Sequence, residues 1–163
     1  MQDLNNINTV ATLFEGERNF IANASNLSSF IIHTIPNLNW AGFYFVDGDE
    51  LILGPFNGKP ACIRIVLGNG VCGTAANNRE TIVVENVHAF PGHIACDAAS
   101  QSEIVIPIVH EGILYGVFDI DSPILNRFSD AEREYLENCV SALVRSSDIR
   151  KLSLYYSIDT NQK

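Results

Sequence analysis

Apolar positions recur at helical spacing over residues 8–33, where Val10, Leu13, Phe14, Phe20, Ile21, Leu27, Phe30 and Ile31 fall along one face. That spacing predicts one long amphipathic helix, or two with a break near residues 23–26. Asn8 is the candidate cap at its start, and Pro36 ends the pattern. From residue 40 the period changes. Residues 40–46 alternate and are rich in aromatics, Asp47-Gly48-Asp49 is a turn signal, and residues 51–56 follow as a second strand, so the pair predicts a hairpin. Residues 61–67 read as a third short strand, bounded by Pro60 and by Gly68 and Gly70. Residues 71–78 predict a short helix and residues 82–85 another strand.

Between residues 86 and 102 the periodicity stops, in a stretch that holds His88, Pro91, Gly92, His93, Cys96 and Asp97. Irregular loops on a rigid scaffold are where binding and chemistry usually sit. Two more strands follow, residues 103–109 and 114–121, joined through Glu111-Gly112. Ser129-Asp130-Ala131-Glu132 fits a capping box and opens a last helix with Leu136, Cys139, Val140, Leu143 and Val144 on one face. The order predicts an α/β (α+β) fold. Its centre is an antiparallel sheet of about six strands, with the N- and C-terminal helices packed together on one face and loops and short helices over the other.

The length of 163 residues argues for a single domain, 1–163, with its core over about residues 8–150. No linker, internal repeat or low-complexity segment interrupts it. The formal net charge of -9, with no basic run, argues against nucleic acid and anionic membrane as partners, since both need clustered Lys and Arg. Neither a signal-peptide pattern nor a bilayer-length apolar stretch is present, so the chain reads as cytoplasmic. A reducing compartment leaves its four cysteines as core residues or reactive thiols, not as a permanent disulfide framework.

In Val117-Phe118-Asp119-Ile120-Asp121, strand alternation puts both aspartates on one face, roughly 6.6 Å apart. Glu103 begins the partner strand. A three-residue loop at residues 111–113 would set Glu103 opposite Asp121, whereas a two-residue loop would flip its face. In the first register three carboxylates gather, and such a cluster needs a cation or a raised pKa. A solvated face, a Mg²⁺ or Ca²⁺ site and a ligand ammonium all remain open from this pattern.

Among the cysteines there is no C-x-x-C pair, so zinc-ribbon and thioredoxin signatures are absent, and a mixed site from His88, His93 and Cys96 has only weak spacing support. Cys139 lies on the apolar face of the last helix and fits the core. Cys62 starts a strand. Cys96 stands in the aperiodic loop beside Asp97 and near His93, where loop N–H groups can stabilise a thiolate.

Three stretches go further together: Asn39-Trp40-Ala41-Gly42-Phe43-Tyr44; Leu53-Gly54-Pro55-Phe56 through Ala61-Cys62 to Gly70-Val71-Cys72-Gly73-Thr74-Ala75; and Gly92-His93-Ile94-Ala95-Cys96-Asp97-Ala98 with Ser102-Glu103-Ile104-Val105 and Asp119-Ile120-Asp121. Over nearly the whole chain these resemble the free methionine-R-sulfoxide reductases, the GAF-domain members of the methionine sulfoxide reductases, and no position the family uses departs from its pattern. The resemblance implies thiol-dependent reduction of free L-methionine-R-sulfoxide without a bound cofactor or metal. Cys96 matches the nucleophile, left as a sulfenic acid; Cys62 matches the resolving cysteine that condenses with it to a disulfide; Cys72 matches a secondary thiol. Thioredoxin is the implied reductant and partner. Glu103, Asp119 and Asp121 match carboxylates that hold the substrate ammonium and protonate its oxygen. Trp40 and Tyr44 match an aromatic wall around the S-methyl group, and the backbone of His93, Ile94 and Ala95 a cradle for the substrate carboxylate. Family members are often dimers, so a homodimer is a further expectation. Two other classes share these features: a GAF sensor of small molecules, and a cysteine redox switch for which the acidic pocket would have no purpose. A metal-binding structural protein comes last.

Overall fold

The computed structural model of the chain describes residues 7–94 and 97–161. Its frame is a six-stranded antiparallel sheet in the order β3-β2-β1-β6-β5-β4. The strands are β1 (Trp40–Asp47), β2 (Glu50–Gly58), β3 (Arg64–Val66), β4 (Ile82–Val84), β5 (Ser102–His110) and β6 (Ile113–Ser122). The helices are α1 (Ile7–Leu13), α2 (Phe20–Thr34), α3 (Gly70–Asn78) and α4 (Asp130–Ser146), with 3₁₀ turns at Val87–Ala89 and Ile149–Leu154.

Alternation along the two central strands sorts their side chains between two layers. Phe43, Phe45, Phe118 and Ile120 point to one face and are fully buried. Phe43 stacks on Phe118 with ring centroids 4.3 Å apart, and Phe20 of α2 meets Phe43 and Phe45 edge-on. On this face α2 and α4 pack against the sheet, and α1, α2 and α4 pack against one another. The opposite face carries Trp40, Tyr44, Glu103, Asp119 and Asp121, and α3 lies across it.

The amphipathic N-terminal stretch is two helices, but the break falls at residues 14–19 and not at 23–26. Gly16 takes a φ of 77° there, and Asn19 caps α2 by accepting the Ala22 N–H at 3.0 Å. The polar run that suggested a break lies inside α2. Asn23 is buried, donating to the Glu17 carbonyl at 3.0 Å and to Ser147 Oγ at 2.9 Å, so the helix carries it without an unsatisfied group. Asn8 sits within α1 and not at its cap. At the other end the expected capping box is present, Ser129 and Glu132 each satisfying the other's backbone N–H.

The third strand covers only Arg64–Val66 of the expected seven residues, although the Leu53 N–H still reaches the Ile63 carbonyl at 2.9 Å. The β5–β6 hairpin settles the open register in an unforeseen way. Its loop is the two-residue Glu111-Gly112, with both residues at positive φ, the turn that matches strand twist. Taken alone, that loop would turn Glu103 away from Asp121. However, Val109 faces Leu114 while Ile108 faces Gly116, so Tyr115 is an extra residue in β6. The bulge adds the missing step and sets Glu103 opposite Asp121.

Candidate active site

Pairing across β1, β6 and β5 places Trp40, Asp121 and Glu103 in one row, and Gly42, Asp119 and Val105 in the next. The expected three-carboxylate cluster therefore exists, on the face covered by α3. Glu103 and Asp119 are buried and Asp121 is partly exposed. They line a cavity completed by Tyr44, Cys72, His93, Ile94, Asp97 and Ser100. A second small compartment adjoins it beyond Tyr44 and Asp121, bounded by Trp40, Lys59, Pro60 and Ala61.

Trp40 owes its pose to two glycines. A Cβ on Gly42 would lie 2.5 Å from the Trp40 ring, and one on Gly58 would lie 2.4 Å from it, so the indole lies flat across bare backbone. The ring stacks on Phe56 at 5.4 Å and on Tyr44 at 6.0 Å, and its Nε1 donates to the Lys59 carbonyl at 3.0 Å. Tyr44 Oη donates to the Cys62 carbonyl at 3.0 Å. Both aromatics of the predicted wall thus hold the segment that leads into and includes Cys62.

Cys72 comes from α3 and lies inside the carboxylate cluster, a placement its sequence position does not reveal. Its Sγ is 3.9 Å from Glu103 Oε1, and a ligand atom from each of Cys72, Glu103 and Asp119 lies within 4.8 Å of the others. These three are the one group among the described residues with the donors and spacing to hold a metal ion. One oxygen of Asp119, Oδ1, is buried with no hydrogen-bond partner among the described residues.

The electrostatics follow from burying like charges together. Burial, then the charges of Asp119 and Asp121, push the Glu103 carboxyl well above its ordinary range. Asp121 is pushed well up by burial and then by Asp119, against a hydrogen bond from Ser100. Asp119 rises only to about 6, because hydrogen bonds from Cys72 and Glu103 oppose the effect of burial. Burial also drives the Cys72 thiol well up, so it stays protonated. His93 Nε2 stands 3.7 Å from Glu103 Oε2, and burial followed by the nearby His88 lowers the imidazole's pKa.

Of the predicted residues, Trp40, Tyr44, Cys72, His93, Ile94, Glu103, Asp119 and Asp121 line these two connected spaces. Cys62 lies at the end of the 59–62 segment and is disulfide-bonded, whereas Cys72 and Cys139 are free thiols. Cys139 is buried in the helical layer, as its sequence position suggests. The expected nucleophile Cys96 and its neighbour Ala95 lie outside the described residues. Asn39, Lys59, Asp97 and Ser100 were missed as site residues. Asn39 and Asp97 stand inside motifs quoted above, but no local pattern marks either as a contact.

A buried carboxylate pocket on an antiparallel sheet flanked by terminal helices defines the class, and the comparisons agree. The model of the GAF domain family matches residues 13–145. Protein YtsP of Bacillus subtilis is 52% identical over 134 residues, 81% of this chain and 82% of that protein. The free methionine-R-sulfoxide reductase of Escherichia coli is 48% identical over 131 residues, 80% of this chain and 79% of that protein. The solved free methionine-R-sulfoxide reductase of Neisseria meningitidis, in complex with its substrate, superposes with a TM-score of 0.84 at 36% identity, covering 90% of this chain and 89% of that one. The chain belongs to the GAF-domain free methionine-R-sulfoxide reductases, a family of oxidoreductases. No helix among the described residues is long and apolar enough to cross a membrane.

Proposed function

We propose that the chain reduces free methionine-R-sulfoxide to methionine in the cavity between α3, the 86–101 loop and the carboxylate face of the sheet. The observation that carries this reading is the buried trio Glu103, Asp119 and Asp121, whose acidities are split by their surroundings. Asp119, raised to about 6, is the carboxylate of the cluster near pH 7, and its buried Oδ1, without a partner among the described residues, suits the ammonium of a free amino acid. Glu103 and Asp121 keep their protons higher, and one of them is the acid that a sulfoxide oxygen needs before it can leave sulfur.

The Cys96 thiolate attacks the substrate sulfur as that oxygen is protonated. The oxygen passes to Cys96 as a sulfenic acid and methionine departs, so the two-electron oxidation of one sulfur matches the reduction of the other. The Cys62 thiol then attacks the sulfenic sulfur, water is expelled, and a Cys62–Cys96 disulfide forms. A thioredoxin dithiol returns both to thiols by exchange. The disulfide-bonded state of Cys62 beside free Cys72 and Cys139 supports this assignment of roles. A peptide-bound sulfoxide lacks the ammonium, leaving the buried carboxylate unpaired, which selects the free amino acid.

The test is methionine release from the free R epimer, the free S epimer and a peptide-bound sulfoxide, with thioredoxin, its reductase and NADPH. Turnover confined to the free R epimer, lost in Cys96→Ser even with dithiothreitol, is the expected result. Turnover by that variant, or equal rates on the peptide, overturns the reading.

A further inference from the structure

Asp97 bonds three separate partners at the rim of the cavity, and the chemistry above gives it no role. It follows Cys96 in sequence. Its Oδ1 accepts the Ala99 N–H at 2.9 Å, and its Oδ2 accepts from Asn39 Nδ2 at 3.2 Å. The same Asn39 Nδ2 reaches Ser100 Oγ at 3.1 Å, and Ser100 in turn bonds the Asp121 carboxyl. On its other side Asp97 Oδ1 lies 3.5 Å from Lys59 Nζ. Lys59 begins the segment that ends at Cys62, and its carbonyl is the one held by the Trp40 indole. Lys59 is also the one Lys or Arg among the described residues lining either compartment.

These contacts tie the segment that follows Cys96 to the loop bearing Cys62, and both to Asn39 at the start of β1. The ammonium of Lys59 is mostly exposed while the Asp97 carboxylate is nearly covered, with side-chain accessibilities of 72% and 11%. Hydrogen bonds from Ala99 and Asn39 and the Lys59 charge keep Asp97 ionised, its pKa below the usual carboxylate range. Resting on the reductase reading above, we propose that Asp97 is a positioning residue. Paired with Lys59, it latches the loop of the attacking cysteine to the loop of the resolving cysteine and so sets the rate of the second half-reaction. In that step the Cys62 sulfur bonds to the Cys96 sulfur, the S–O bond of the sulfenic acid breaks, and the hydroxyl leaves as water with the thiol proton. Two groups on separate loops react at a rate set by how often the loops bring them together, and a tie between the loops raises that frequency. The latch acts chiefly on the second half-reaction, so its loss slows disulfide formation more than methionine release.

The experiment mixes reduced enzyme with one equivalent of free methionine-R-sulfoxide and follows two signals after rapid quench: methionine released, and sulfenic acid trapped by dimedone against disulfide formed. Lys59→Met removes the exposed ammonium that pairs with Asp97. It should form the disulfide about fivefold more slowly, the upper range for an exposed ion pair, and lose less in methionine release. Lys59→Arg should restore the wild-type rate. Asp97→Asn, in which Asn39 can turn its amide to keep a hydrogen bond, should slow disulfide formation about tenfold, and adding Lys59→Met to it should cost little more. Disulfide formation at the wild-type rate in Lys59→Met, or an equal loss in both signals, overturns the latch. Absence of methionine release by the wild-type enzyme would instead overturn the reductase reading itself.

Discussion

Asp119 lies between a thiol and a second carboxyl, and that placement makes it a source of instability as well as of binding. Its folded pKa of about 6 exceeds the 3.8 of an unfolded aspartate because burial disfavours its charge. Between these values the folded chain binds the extra proton, so stability falls as pH rises through that window and stays lower above it. At 1.36 kcal/mol per unit the loss is about 3 kcal/mol for this group. Asp119→Asn should therefore lessen the fall of stability between pH 4 and 8 in urea titrations, by less than that amount because Glu103 and Asp121 then ionise more readily, while raising KM well over tenfold. An unaltered pH dependence would mean that the carboxyl is not strained by burial. In the wild type, kcat/KM should climb through about pH 6 as Asp119 ionises, then fall at higher pH as Glu103 and Asp121 lose their protons. A rate that keeps rising through pH 9 would remove the carboxyl acid from the mechanism. The Cys72 thiol, held protonated among these groups, should alkylate with iodoacetamide at pH 7.5 at least tenfold more slowly than free cysteine.

At the scale of elements, the site depends on how closely β1 and β6 approach. A Cβ on Gly116 would stand 2.1 Å from the Tyr44 carbonyl oxygen and 3.0 Å from Phe45 Cα, both backbone atoms that cannot swing aside. Gly116→Ala should cost about 3 kcal/mol in chemical denaturation. It should also lower activity by parting Tyr44 from the Cys62 carbonyl, and a variant as stable as wild type would show that the strands can separate freely. The sequence made the two aspartates legible as a pair, since alternation from Val117 to Asp121 needs no outside information. It did not disclose that Glu103 would face them, because the outcome hinged on one unpaired residue, Tyr115, which looks like any other strand aromatic. Asn23 misled for a related reason. A buried asparagine satisfied from Ser147, far along the chain, is indistinguishable locally from a helix breaker. Cys72, Lys59, Asn39 and Ser100 reach the site through contacts between distant segments, and no spacing along one segment encodes them.

For the whole molecule, the formal charge of -9, which already counts the three cavity acids, sets the sign of the electrostatics. Self-repulsion opposes the compact state and is screened within about 10 Å at 0.1 M salt. Raising sodium chloride from 20 to 500 mM should thus raise the melting temperature by about 2 °C or more, since the exposed ion pairs that salt weakens contribute little. A falling melting temperature would show that those pairs outweigh the repulsion. The single extra residue at Tyr115 has another consequence. It works as a phase shifter between the hairpin tip and the catalytic end of the strands, so the parity of the tip is reset before it reaches Asp119. A graft at Glu111-Gly112 that keeps His110 opposite Ile113 would leave the carboxylates facing inward, which makes that tip a port for attaching a reporter. Removing Tyr115 would invert the phase, leaving the two aspartates held by β1 and turning Glu103 toward the phenylalanine layer beneath.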